Sequence, residues 1–192
     1  MSTPAFADEP TYVNPVQGTF ADSKDLAAYA EQSSISVGDA IRFRVSSSQV
    51  WSYSIIRIGN YEGGGLQLLK VDGNPPSKQP ECTVAAKTGL VECPWSTSVE
   101  INSSGWVPGL YVFRIDSGLG FNIAPFVVRS EQTSGTTLVK IGMMSLAAYN
   151  QFGGRNLYNY KTKDESAKSA QITSLDRPLD DRGFRTFIWF EY

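Results

Sequence analysis

Apolar and polar residues alternate most cleanly at Ile41, Phe43 and Val45, separated by Arg42 and Arg44. That period of two predicts a strand with one buried and one wet face. Val37-Gly38-Asp39 supplies the turn before it, and residues 52–58, rich in Ile and Tyr, predict a second strand that ends at Gly59-Asn60. The triplet Gly63-Gly64-Gly65 interrupts the pattern. Residues 66–71 resume it before the loop Asp72-Gly73-Asn74-Pro75-Pro76, and further strands are predicted over 95–101, 110–115 and 121–128. The spacing of these runs suits an antiparallel sandwich of roughly seven strands and about 100 residues. No segment before Leu138 shows the 3.6-residue period of a long amphipathic helix. The expected fold is mainly β, an immunoglobulin-like β-sandwich over residues 25–130.

The flanks read differently. Residues 1–24 are rich in Pro, Ser, Asp and Thr without a clear period, as in a leader or an extended arm. Residues 131–136 are polar and read as a linker. The apolar run 137–144 fits a buried strand, and Leu146-Ala147-Ala148-Tyr149 opens a helix or turn at its end. A buried strand followed by a functional turn is a common start for an α/β domain. Residues 137–192 are therefore expected to be the truncated beginning of such a domain. Within it, residues 161–170 read as a loop, and Phe184, Phe187, Trp189, Phe190 and Tyr192 form an aromatic cluster that calls for a cover.

Composition narrows the chemistry. With 192 residues, 41% apolar and 19% charged, the chain has room for one ordinary domain or one domain and part of another. A net charge of -2 without a Lys/Arg-rich run leaves no electrostatic footprint for nucleic acid. No apolar run is long enough for a membrane-spanning helix. The absence of histidine excludes a Ser-His-Asp or Cys-His unit, and any histidine-containing zinc site, within this chain.

Two cysteines, Cys82 and Cys93, flank the turn pair Thr88-Gly89. A hairpin there would let them pair, contributing on the order of 3 kcal/mol; the alternative is two reduced structural thiols. Ala5-Phe6-Ala7 before Asp8-Glu9-Pro10 reads as the end of a secretory signal, so a secreted or periplasmic location is expected, with a disulfide to match. Asn102-Ser103-Ser104 is a glycosylation triplet of little weight.

Several stretches carry a family resemblance. Residues 57–65 (RIGNYEGGG), 88–93 (TGLVEC) with Trp95, 104–111 (SGWVPGLY) and 125–129 (PFVVR) are similar to the sandwich of the N,N-dimethylformamidase large (beta) subunit family. Residues 148–158 (AYNQFGGRNLY) and 175–178 (LDRP) resemble the start of that family's catalytic α/β domain. The resemblance implies an iron-dependent amidohydrolase that cleaves the C–N bond of small formamides, with two tyrosines and one glutamate on a single iron. By motif position Tyr149 matches the first tyrosine ligand and Tyr192 the second. The glutamate belongs to a later G-H-D-E-Y-W stretch, and this chain has no histidine. The expectation is a fragment, or a chain completed by a second polypeptide, which neither holds iron nor hydrolyses amides by itself.

A phenol titrates near 10, so Tyr149 would bind a cation at neutral pH only by losing its proton to it. Trivalent iron suits such an anionic oxygen donor. Asn150, Gly153 and Gly154 would form the tight turn that supports Tyr149, whose bland alternative is a half-buried aromatic with a backbone partner. Asp176-Arg177 reads as a buried ion pair or as exposed neighbours, and Glu191 as a solvated or end-of-strand charge. Two further functions compete. One is a secreted sandwich module for carbohydrate or protein adhesion, with Trp51, Trp95 and Trp106 as stacking platforms; the other is an accessory protein docking through its aromatic terminus.

Overall fold

The computed structural model describes residues 10–132, 134, 140–158 and 169–180. The strands in chain order are β1 (Thr11–Val13), β2 (Leu26–Ala30), β3 (Ser34–Ser36), β4 (Ala40–Ser47), β5 (Trp51–Ile58), β6 (Gly65–Asn74), β7 (Thr83–Val84), β8 (Val91–Glu92), β9 (Val99–Asn102), β10 (Gly109–Ser117) and β11 (Gly120–Arg129). One short helix follows, α1 (Met143–Tyr149). A six-stranded sheet runs β1-β6-β5-β10-β11-β3, a three-stranded sheet runs β2-β4-β9, and β7-β8 form a separate hairpin. Among the described residues every pair is antiparallel except β11 with β3.

The two large sheets share one core. Ile41, Phe43 and Val45 of β4 point into it as their alternation predicts, and all three are fully buried. Phe43 stacks on Phe113 of β10 with ring centroids 4.0 Å apart and meets Phe126 of β11 edge-on at 5.3 Å. The mainly-β expectation holds in this form, as two packed sheets.

The six-stranded sheet is buried on its other face as well. Ile56 and Ile58 of β5, Leu110 and Val112 of β10, and Phe121 and Ile123 of β11 form a second cluster there. Val13, Val16 and Phe20 cover it from the N-terminal side, and Ile141, Met143 and Leu146 from the C-terminal side. This explains why β10 and β11 read as near-continuous apolar runs rather than alternating ones. Arg114 of β10 pins the arm: its guanidinium donates to the carbonyls of Pro15 (3.1 Å) and Gln17 (2.9 Å), pairs with Asp116 (2.6 Å), and lies over the Phe121 ring.

Several elements differ from the expectation for identifiable reasons. The described part of the arm, from Pro10, is joined to the sheet through β1, which pairs with β6. β6 runs on to Asn74, into the expected loop, because Asn74 pairs with Trp51 and its side chain donates to the Trp51 carbonyl at 3.2 Å. The strand expected over 95–101 is present only as β9. Upstream of it the Gln79 side chain takes the place of a neighbouring strand: Ser96 N–H donates to Gln79 Oε1 (3.0 Å), and Gln79 Nε2 donates to the Ser96 carbonyl (3.0 Å). Of the strand expected over 137–144, residues 137–139 lie outside the described residues, Lys140–Gly142 is irregular, and Met143 begins α1.

Tyr111 of β10 shows how the core sets a titration. Its ring is fully buried and stacks on Trp106, and its hydroxyl donates to the Val107 carbonyl at 2.6 Å. Burial pushes this phenol up to about 12, with Arg57 pulling in the opposite direction. Since a tyrosine in an unfolded chain ionises near 10, the contribution of Tyr111 is complete below that pH and is lost as pH rises through the folded value. Chemical denaturation of the wild type and of Tyr111→Phe should show a stability difference that shrinks by about 2–3 kcal/mol between roughly pH 9 and 12. A difference independent of pH would contradict this assignment.

Candidate functional site

The segment after the sandwich folds against the seam where β2 of the small sheet lies beside β11 of the large one. Helix α1 is only seven residues long and carries no charge in either end turn, so its stability comes from what surrounds it. Its free carbonyls need partners. The Ala147 carbonyl accepts from Thr173 Oγ1 (2.9 Å) and from Arg177 Nη2 (3.2 Å), and the Ala148 carbonyl accepts from Leu157 N–H (3.0 Å).

Arg177 is the hub of this segment. It is 2% exposed, and beyond α1 its guanidinium donates to the carbonyls of Phe152 (2.8 Å) and Arg155 (2.9 Å) and to Thr173 Oγ1 (2.9 Å). Burial pushes it down to about 10, while Asp180 acts the other way. It remains charged at neutral pH and draws three parts of the chain together. Neither alternative for Asp176-Arg177 holds: Asp176 is exposed, and Arg177 is buried on backbone carbonyls.

Asn150 follows directly after α1 and is 1% exposed. Its Nδ2 donates to the Pro178 carbonyl (2.8 Å), and its Oδ1 accepts from the N–H groups of Phe152 and Asp180, both at 3.1 Å. One side chain thus fixes its own turn and staples it to residues 178–180. Gly153 has φ 78° and Gly154 φ 81°. At Gly153 a side chain would also run into Val91 of β8, so glycine is required there by both conformation and space.

Tyr149 stands at the end of α1, beside this locked turn, and is 53% exposed. Its ring stacks on Tyr158 with centroids 4.5 Å apart and planes 20° from parallel. Tyr158 is itself oriented by its backbone N–H, which donates to Asn156 Oδ1 at 2.9 Å. Tyr192 and Glu191, the aromatic terminus from Phe184, and most of the expected loop at 161–170 lie outside the described residues. Among the described residues no group of three or more His, Cys, Asp or Glu side chains is arranged to hold a metal ion. The cleft at the seam, lined in part by Tyr29, Met143, Leu175 and Arg177, has about 30 Å³ of free space.

The cysteines pair as Cys82–Cys93. The hairpin they close packs against the site segment through Cys93, whose N–H donates to the Asp176 carbonyl at 2.8 Å. Trp95, Trp106 and Trp51 are all buried, and the indole N–H groups of Trp51 and Trp95 donate to the carbonyls of Pro75 and Pro80. None of the three offers a face to a sugar. Sequence reasoning singled out Tyr149, Asn150 and the two glycines and did not single out Arg177 as a hub, Asn156 or Tyr158. The carbonyls that Arg177 engages lie 22 to 30 residues away in sequence, so no local pattern marks it as their common donor.

Two substitutions test this wiring. Asn150→Ala orphans one buried carbonyl and two N–H groups and should destabilise the fold by roughly 2–4 kcal/mol in urea denaturation. Arg177→Lys keeps the charge but cannot reach both sets of acceptors, and a loss of about 3 kcal/mol is expected. Wild-type stability for either variant would show that the segment is held by other contacts.

The sequence model of a family described as N,N-dimethylformamidase beta subunit-like, C-terminal, matches residues 52–192. No curated protein and no solved structure matches the chain. The family match takes in β5 through β11 together with the segment that carries Tyr149, Asn150 and Arg177. On the extent of that match, the chain belongs to the N,N-dimethylformamidase beta subunit-like family.

Proposed function

We propose that this chain is the N-terminal part of a formamidase-like, iron-dependent amidohydrolase, with Tyr149 as one of the phenolate donors to the metal. The observation that carries the reading is the placement of Tyr149. Its phenol is carried on an exposed ring, yet the residue after it is buried and locked by three hydrogen bonds. A donor that is accessible and fixed in direction is what a coordination site requires. Family membership supports the proposed chemical class, the hydrolysis of a C–N bond in a small amide.

In this reading the described residues contribute the Tyr149 phenol, and the other donors come from elsewhere. Tyr192 would be the second donor, and a carboxylate from a histidine-bearing segment outside these 192 residues the third. What this chain contributes is a phenol carried beside a turn that Asn150 and Arg177 hold.

The domain reading belongs to the same proposal: an immunoglobulin-like sandwich over 25–130, a linker at 131–136, and the beginning of an α/β catalytic domain over 137–192. The change from paired strands to α1 and irregular chain after Arg129 supports it. The Cys82–Cys93 disulfide supports a secreted or periplasmic location, since such bonds persist in oxidising compartments. The adhesion reading loses its stacking platforms with the burial of Trp51, Trp95 and Trp106.

The test compares the chain alone with the chain joined to its catalytic remainder. After dialysis against a chelator, the chain alone should retain no iron. The completed protein should retain it and show visible phenolate-to-iron absorption. Tyr149→Phe should weaken or remove that absorption while changing stability by less than about 0.5 kcal/mol, because the ring is half exposed. An unchanged spectrum in the Tyr149→Phe protein would remove Tyr149 from the ligand set.

A further inference from the structure

The hairpin β7-β8 is small, and both residues of β7 are exposed, so two paired residues on each strand give it little stability of its own. It nevertheless touches the segment that carries Tyr149 at several points. Val91 lies directly against Gly153. Cys93 N–H donates to the Asp176 carbonyl, and Gln171 N–H donates to the Thr88 carbonyl at 2.7 Å. Gly89 sits against Ala170, and Trp95, just past the hairpin, meets Phe152 edge-on at 6.3 Å. On the opposite side Tyr29 of β2 donates to the Cys93 carbonyl, which ties the hairpin to the sandwich.

We propose that the Cys82–Cys93 hairpin is a redox-sensitive positioning clamp, in which Val91 and Cys93 set where the Tyr149–Asn150 turn stands relative to the sandwich. The proposal deepens the reading of Tyr149 as a metal donor and rests on that reading for its functional consequence; the clamp itself is a matter of contacts. With the disulfide closed, residues 82–93 form one small rigid loop wedged between β2 and the site segment. With it open, the loop is held only by non-covalent contacts, namely the short β7-β8 ladder, the burial of Val91 and Cys93 and the hydrogen bonds at Thr88 and Cys93, and the backing of the turn around Gly153 is loosened.

The opening step is ordinary thiol–disulfide exchange with a dithiol reductant. One thiolate of the reductant attacks the Cys82 sulfur, which is half-buried where Cys93 is 1% exposed. The sulfur–sulfur bond breaks, and Cys93 leaves as a thiolate and takes a proton. The second thiol of the reductant then displaces Cys82, leaving two cysteine thiols and the oxidised, cyclic reductant.

The experiment adds dithiothreitol to the folded chain and follows hydrogen exchange by mass spectrometry, with 3-fluorotyrosine in place of tyrosine for fluorine NMR. Exchange in peptides covering 145–158 and 170–178 should accelerate at least about tenfold, while β5, β10 and β11 keep their protection. The fluorine resonance of Tyr149, assigned by its loss in Tyr149→Phe, should shift or broaden, whereas that of Tyr12 at the far edge of the sheet should not. Val91→Ala, with the disulfide intact, should reproduce part of the effect around Gly153. A Cys82→Ser/Cys93→Ser chain should match the reduced protein without reductant. The proposal is overturned if reduction leaves both segments protected, or if every strand loosens together, since the disulfide would then be inert or global. None of these readouts needs a metal, so the clamp can fail while the metal reading stands, and the reverse.

Discussion

A sheet whose central strands are apolar on both faces must be covered twice, and that requirement organises the whole molecule. The three-stranded sheet covers one face of β5, β10 and β11. It cannot reach the other, where Ile56, Val112, Phe121 and Ile123 would be left in water. That face is closed by two pieces with little internal structure of their own, the arm around Val13 and Phe20 and the segment around Met143 and Leu146. Each is ordered because it removes apolar area from water, at roughly 25 cal/mol per Å². The segment carrying Tyr149 is therefore built into the fold and does not hang from its end.

Burying irregular chain creates a second obligation, because its backbone groups must still find partners. Asn150 and Arg177 discharge it. Between them they engage the carbonyls of Ala147, Phe152, Arg155 and Pro178 and the N–H groups of Phe152 and Asp180. The placement of Tyr149 follows from this arrangement rather than from contacts of its own hydroxyl. The polar interior is dense where the chain is least regular, and the ring it supports remains in solvent.

Much of the sandwich could be read from the chain. The alternation at Ile41, Phe43 and Val45 gave β4 its inner face, and the apolar runs over 110–115 and 121–128 marked β10 and β11 as strands, though not that both their faces are covered. β2 could not be read in this way. Leu26-Ala27-Ala28-Tyr29-Ala30 is rich in alanine, a helix former, and is a strand because β4 pairs with it and each face finds a different cluster. The start of α1 was read as strand because a short apolar run has no period that separates the two. At the site, Asn150, Gly153 and Gly154 were visible as turn residues, and Tyr149 through the family motif. Arg177 was not, for its acceptors are gathered only by folding. Tyr158 stacks on Tyr149 across nine residues that bend back on themselves, a geometry that composition does not encode.

The ties from Arg114 to the arm also bear on how the molecule is assembled. One of them reaches the Asn14 carbonyl, 100 residues away in sequence. β10 and β11 are joined by a tight turn and can zip together early, whereas the arm waits for its anchor until most of the sandwich has been made. A chain leaving the ribosome would hold Val13, Val16 and Phe20 uncovered over that interval, a window in which a holdase that shields apolar segments would have the most to do.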